Sequence, residues 1–291
     1  MAATEKTGQR VALVSMGVSA ALAAAKIAAG WIAGSMAVMA DGFESASDVG
    51  VSAVVLLGLW VAARPPDENH PYGHGRFETL TGLGVGIALA VTGALICWRS
   101  LAELAGPHEV PAAWAAWPLG VSIFAKSGLS VYKFRAGRRI GSSALIADAW
   151  NDTVDILSGT VALVALGMTV YDPARFITAD HWGGFAIGLI VIALGLRLMQ
   201  ETSLHLMDTM PSDRRMGLIR ASALTVPGAL AVEKCFARKT GLRYHVDLHL
   251  EVDPELSVRR SHSLAEQVRN KIKEDLPWVA DVLVHVEPHE S

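Results

Sequence analysis

Acidic residues recur at one fixed spacing in two apolar stretches of the chain. The segment ADGFESASD (40–48) holds Glu44 and Asp48, and ADAWNDTVD (147–155) holds Asn151, Asp152 and Asp155. Superposed at an offset of 107, the two match in Ala, Asp, an aromatic and a final Asp, so Glu44 corresponds to Asn151 and Asp48 to Asp155. Residues at this i,i+4 spacing share a helix face and direct their side chains to one place. Two such faces packed together offer four oxygen-bearing side chains, a site for a cation. Asp152, three residues before Asp155, takes the place of Asn151 if the helix is rotated. Asp41 and Asp148 open the two motifs and are expected to cap or join helices.

An acid near the centre of a membrane helix costs roughly 2.5–3.5 kcal/mol, so Glu44, Asp48, Asp152 and Asp155 cost on the order of 10 kcal/mol if unpaired. Lys26 and Lys126, the lysines of the neighbouring apolar stretches, are too few to offset that. A bound divalent cation or a set of exchangeable protons is the economical partner. A second group stands in PDENHPYGHGRFE (66–78), where Asp67, His70 and His74 place two imidazoles and a carboxylate in one short loop. That is a zinc-like ligand set. The alternative is a polar loop packed on helix ends, with Arg76 and Glu78 as an ion pair.

The elements that must position these residues follow from hydropathy. The chain has 291 residues, 52% of them hydrophobic and 18% charged, with a mean hydropathy of +0.36, too apolar for an ordinary soluble enzyme. The charge is concentrated at one end, since residues 208–291 hold 12 Lys/Arg and 13 Asp/Glu. Two bodies of different chemistry are therefore expected, a transmembrane domain over 1–207 and a polar domain over 208–291.

A bilayer core about 30 Å thick needs about 20 mainly apolar residues per helix. Six segments qualify: Val11–Ala33, Met36–Ala63, Thr79–Ala102, Pro111–Val131, Ser143–Val170 and Trp182–Met199. Lys6, Arg10, Arg64, Arg76, Lys133, Arg135, Arg138, Arg139, Arg214 and Arg215 fall in connections on one side, against Arg175 alone on the other. The positive-inside rule then places both termini in the cytoplasm, in an inner or plasma membrane. The first apolar stretch reads as a retained span rather than a signal peptide. Trp31, Trp114, Trp117 and Trp182 near span ends fit an interfacial belt.

After Met210-Pro211 the pattern is that of a small α+β domain in the order α-β-β-α-β: helix 212–225, strands 229–238 and 242–252, helix 258–275 and strand 279–286. Strict alternation over Arg243–Asp253 puts Tyr244, Val246, Leu248, Leu250 and Val252 on one face. His245, Asp247 and His249 lie on the other. Cys97 and Cys235 form no CxxC pair and read as buried thiols. A net charge of −3 and the lack of a basic run exclude a nucleic-acid partner. HExxH and GxSxG are missing, which argues against an enzyme.

Across essentially its whole length the sequence resembles the cation diffusion facilitator family. The likeness rests on ADGFESASD, PDENHPYGHGRFE and ADAWNDTVD, with VDLHLEVDP (246–254) and VLVHVEP (282–288) in the tail. The resemblance implies six membrane helices carrying a cytoplasmic ferredoxin-like, metallochaperone-like domain, and a homodimer in the lipid bilayer. It implies efflux of a divalent metal, with the transport site on Glu44, Asp48, Asn151 and Asp155 and a loop site on Asp67, His70 and His74. A tail site is implied on His249, His285 and Glu287, joined by His262 and by Glu233 in the first tail strand. The metal would be substrate and regulatory ligand rather than a permanently bound cofactor, and protons the exchanged ion.

Zinc-selective members of that family commonly carry His in these pairs, whereas Glu44 and Asn151 make an all-oxygen site. Oxygen suits Mn, Fe or Co over Zn. The other reading is a membrane scaffold that senses metal without transporting it.

Overall fold

The computed structural model describes residues 2–33, 36–103, 116–172 and 179–289. The chain divides into two compact units, Met1–Thr202 and Ser203–Ser291.

The first unit is built from long helices: α1 (Ala2–Ala33), α2 (Met36–Ala62), α3 (Arg76–Glu103), α4 (Ala116–Ile140), α5 (Ser143–Tyr171) and α6 (Ala179–Leu206). The shortest has 25 residues and, at about 1.5 Å per residue, is longer than a bilayer core is thick. Leu57, Val91, Trp98, Phe124, Leu189 and Leu196 are exposed on outer helix faces. Apolar surface of this extent is what hydrocarbon requires and water penalises. α1 packs along α2, α4 along α5, and α5 also meets α2 and α3.

The six segments are not equally apolar. Among the described residues, three helical stretches are long and apolar enough to cross a membrane by composition: Lys6–Ala28, Arg76–Ala102 and Trp182–Leu206. α4 is the least apolar of the six helices, its run interrupted by Lys126, Lys133 and Arg135.

α4 also departs from the expected fourth span. The expected start, Pro111 to Ala115, lies outside the described residues, and α4 continues to Ile140. Lys133, Arg135, Arg138 and Arg139 are therefore helical, and Lys133 is completely buried rather than a connection charge. Only Gly141 and Ser142 join α4 to α5. Gly141 takes a left-handed φ of 71°, which suits a residue without Cβ, and Ser142 Oγ accepts from Leu145 N at 3.1 Å to cap α5. This turn makes α4 and α5 a tight antiparallel hairpin.

The second unit comprises α7 (Asp213–Ala223), β1 (Ala231–Thr240), β2 (Arg243–Val252), α8 (Val258–Asp275) and β3 (Val279–Pro288). The sheet order is β1-β2-β3, with β1 antiparallel and β3 parallel to the central β2. This is the expected α-β-β-α-β order of a ferredoxin-like unit. Parallel pairing of β2 and β3 requires a crossover, which α8 supplies. Tyr244, Val246, Leu248, Leu250 and Val252 are all buried, and Leu264, Val268 and Ile272 of α8 pack into the same core with Ile219 of α7. The opposite face of β2 keeps its polar residues.

Candidate metal centres

The hairpin turn decides which charges meet. On α4, Lys126 and Lys133 are seven residues apart, and on α5 so are Asp148 and Asp155. Seven residues are nearly two turns, so each pair keeps to one face. Antiparallel packing then sets Lys126 against Asp155, and Lys133 against Asp148.

At the first level the Lys126 ammonium donates to Asp48 Oδ2 of α2 and to Asp155 Oδ2 of α5. Asn151 Nδ2 donates to Asp48 Oδ1 at 3.1 Å. Asp48, Asn151 and Asp155 are thus brought together. Glu44 lies one turn before Asp48 on α2, and its side chain is outside the described residues, as is that of Asp41. Lys26 of α1 donates to Ser45 Oγ and Ser122 Oγ, each at 3.0 Å, so a second ammonium lies one turn from the pair.

At the second level Lys133 Nζ is 2.9 Å from Asp148 Oδ2 and 2.7 Å from Asp152 Oδ2. Ser52 Oγ donates to Asp148 Oδ1 at 3.1 Å. Asp148 does not cap a helix; buried inside the bundle, it joins α5 to α2 and α4. Asp152 is held here, away from the Asp48–Asp155 pair.

In the α2–α3 loop, Asp67 Oδ1 is 3.1 Å from His70 Nδ1, and Asp67 Oδ2 is 3.3 Å from His74 Nε2. One donor atom from each of the three lies within 4.8 Å of the others. The left-handed φ of 78° at Gly73 folds the loop back so that the two imidazoles lie 4.4 Å apart, tilted by 44°. The backbone N–H of His70 is the main cause holding the Asp67 carboxyl below its usual range. Glu78 is completely buried and accepts from Ser142 Oγ at 2.9 Å and Ala144 N at 2.8 Å, at the N-terminus of α5. A carboxylate there meets free N–H groups and the positive end of the helix dipole.

In the tail, parallel register sets His249 beside His285 and Glu251 beside Glu287. His249 Nδ1 is 2.6 Å and His285 Nε2 3.6 Å from Glu287 Oε1, and a donor atom from each of the three fits within 4.8 Å. A bulge between Val232 and Cys235 puts Glu233 outside the regular β1 alternation. Hydrogen bonding from Glu233 first, then from His249, holds the Glu287 carboxyl below its usual range. Glu233 also pairs with Lys234 at 3.0 Å. His262 stands apart on α8, exposed, 3.7 Å from Glu266.

Residues 12–207 match the sequence profile of the cation efflux transmembrane domain, and residues 211–289 that of the cation efflux protein cytoplasmic domain. The chain belongs to the cation efflux family, the cation diffusion facilitators. Metal tolerance protein C1 of Arabidopsis thaliana is 32% identical over 297 residues, covering 97% of this chain and 62% of that protein, so the chain spans about three fifths of the relative's length. The manganese efflux system protein MneP of Bacillus subtilis is 27% identical over 289 residues, covering 98% of this chain and 97% of the relative. A nickel form of a MamM C-terminal domain variant is 25% identical over 27% of this chain and all of that one, at a TM-score of 0.27.

Cation diffusion facilitators are integral membrane transporters, not enzymes. In this member Asp48, Asn151 and Asp155 of the paired motifs converge, on a lysine that the motifs do not contain. Sequence pattern alone counts Lys126 among too few counter-charges and places Lys133 in a connection. Their signal was the matched spacing on either side of the Gly141-Ser142 turn, which becomes legible once that turn is recognised as a hairpin. Glu78, paired with Arg76 only in the alternative reading of the loop, binds the N-terminus of α5, and nothing local in the sequence points it there.

Proposed function

We propose that this cation efflux protein exports a divalent transition-metal ion through Asp48, Asp155, Asn151 and Glu44, in exchange for protons, as a homodimer joined by its tail. The observation that carries the reading is the meeting of Asp48 and Asp155, from two different helices, on a single cation, with Asn151 bound to Asp48. Asp148 and Asp152, which also share one lysine, come from a single helix and are sealed, whereas Asp48 and Asp155 come from two helices and keep part of their surface open.

A metal entering from the cytoplasmic side replaces the protons held by the carboxylates and is released on the far side when the helices rearrange. Protonation then resets the site. The oxygen donors favour Mn, Fe or Co over Zn, in keeping with the manganese named for one relative. Asn151, bonded to Asp48, is the fourth donor rather than Asp152, which is sealed one level away with Lys133. The loop group, Asp67, His70 and His74, captures metal near the entrance. The tail group, His249, His285, Glu287 and Glu233, responds to metal by drawing two tails together. Both termini face the cytoplasm of the cell in which the protein resides in the inner or plasma membrane.

The test is reconstitution in liposomes containing a pH-sensitive dye, with Mn, Fe(II), Co, Ni, Zn and Cd added in turn. Metal-dependent proton movement is expected for wild type and its loss for Asp48→Ala and Asp155→Ala. Unchanged flux in either variant overturns the site. Absence of flux for every metal from folded, inserted protein favours the sensing scaffold.

A further inference from the structure

Lys126 holds the two carboxylates that the proposed transport site needs, using one oxygen from each. Its side chain is 5% exposed, while those of Asp48 and Asp155 are 11% and 20% exposed. The neighbouring cluster is different, because Lys133, Asp148 and Asp152 are no more than 1% exposed. One lysine is sealed among its partners; the other binds carboxylates that keep part of their surface open.

We infer that Lys126 is a tethered competitor for the transported cation, its ammonium closing the Asp48–Asp155 pair until a divalent ion displaces it. The inference rests on the transport-site reading above. It gives the Asp48–Asp155 pair a positive partner inside the membrane bundle whenever its protons have left and no metal is bound, since an unpaired buried charge is strongly destabilising and a paired one is tolerated.

A divalent ion and an ammonium cannot occupy the same oxygens together. The four-carbon stem of lysine and its compact head let the group withdraw, while Asn151, bonded to Asp48 Oδ1, keeps that carboxylate oriented. Lys126 thereby sets affinity. Only the fraction of molecules with the ammonium withdrawn is competent to bind, and apparent affinity falls by that fraction. Weak binding suits a carrier that must release its ion, so the lysine acts as a specificity and affinity residue rather than as a ligand.

The test measures Mn and Cd binding to purified full-length protein in detergent, by calorimetric titration, in a His70→Ala/His249→Ala background that removes loop and tail donors. Lys126→Gln is expected to bind about tenfold more tightly or better, if the competent fraction is about one tenth. Lys126→Arg keeps the charge and adds a planar fork suited to carboxylates, so it is expected to bind more weakly than the parent. Asp155→Asn is expected to abolish binding.

If Asp155→Asn abolishes binding while Lys126→Gln binds no more tightly than the parent, competition is overturned and the transport site stands. If Asp155→Asn binds as the parent does, the transport-site reading itself fails. Should Lys126→Gln not fold, Lys126→Arg decides alone, and equal or tighter binding overturns the inference.

Discussion

Lys133 stands nearly two helical turns from Lys126 on the same face of α4, and each lysine is held by two carboxylates. The arrangement is a charge ladder, with one rung accessible and one sealed. The sealed rung has a structural consequence. Lys133→Met leaves Asp148 and Asp152 buried without their cation, a change that costs about 3–5 kcal/mol when one partner of a buried pair is removed. Thermal unfolding of the detergent-purified protein is expected to shift sharply downward, with partial recovery in Lys133→Met/Asp152→Asn. An unchanged midpoint in the single variant would show that the rung carries no stability.

Glu78 links two helices through the N-terminus of α5. Glu78→Ala removes its bonds to Ser142 Oγ and Ala144 N, and leaving buried donors unsatisfied costs about 1–3 kcal/mol. Glu78→Gln keeps the acceptor oxygen and loses the charge, so its loss is expected to be smaller. The order of the two melting temperatures checks this, and equal values would remove the charge–dipole contribution.

Close packing of α3 on α6 depends on glycine at the crossing. A Cβ at Gly195 would lie 2.6 Å from Ala90 N and 2.8 Å from Gly86 O, while a Cβ at Gly84 meets nothing within 4 Å. Membrane helices approach through such small residues. Gly195→Ala is therefore expected to lower folded yield and midpoint, and Gly84→Ala to be neutral or slightly stabilising. Size-exclusion profiles with thermal scans distinguish them; similar behaviour of both would refute a tight crossing.

Tail stability is expected to fall in acid. The Asp275 carboxyl is held below its usual 3.8 by hydrogen bonds from Lys271 and then Ser222. For Asp281 burial pushes upward, but hydrogen bonds from Arg269, Lys273 and the Val282 backbone outweigh it and the value is again lowered. A depressed folded value means that the unfolded chain takes up protons first. The stabilisation is full above the unfolded value and is lost as pH falls through the folded one. Fragment 203–291, which has its own core, should unfold at lower temperature at about pH 3 than at about pH 6. Asp281→Asn should flatten that dependence, and a parallel shift of both proteins would contradict it.

The tail cluster also predicts stabilisation by metal. Binding only to the folded state raises apparent stability with metal concentration, so Zn or Mn is expected to raise the midpoint of fragment 203–291. His249→Ala and Glu287→Ala should remove the effect, while His262→Ala should leave it unless a second copy supplies that residue. Equal metal responses in wild type and His249→Ala would place the site elsewhere.

Local pattern alone determined a great deal here. Hydropathy over windows of a bilayer's thickness marks the apolar segments, because an unbonded backbone cannot enter hydrocarbon. Period-two alternation across Arg243–Val252 marks the buried face of β2, because a strand turns successive side chains to opposite sides. The i,i+4 spacing likewise put Asp48 and Asp155 on faces able to converge. Tertiary structure decided the partners. Lys126 and Lys133 find their acids only because Gly141-Ser142 reverses the chain in two residues, and Asp152 is separated from Asn151 because adjacent helical positions diverge by about 100°. Glu78 and the N-terminus of α5 lie more than sixty residues apart in sequence, and their bond answers a need for acceptors at a buried helix end that no local spacing encodes.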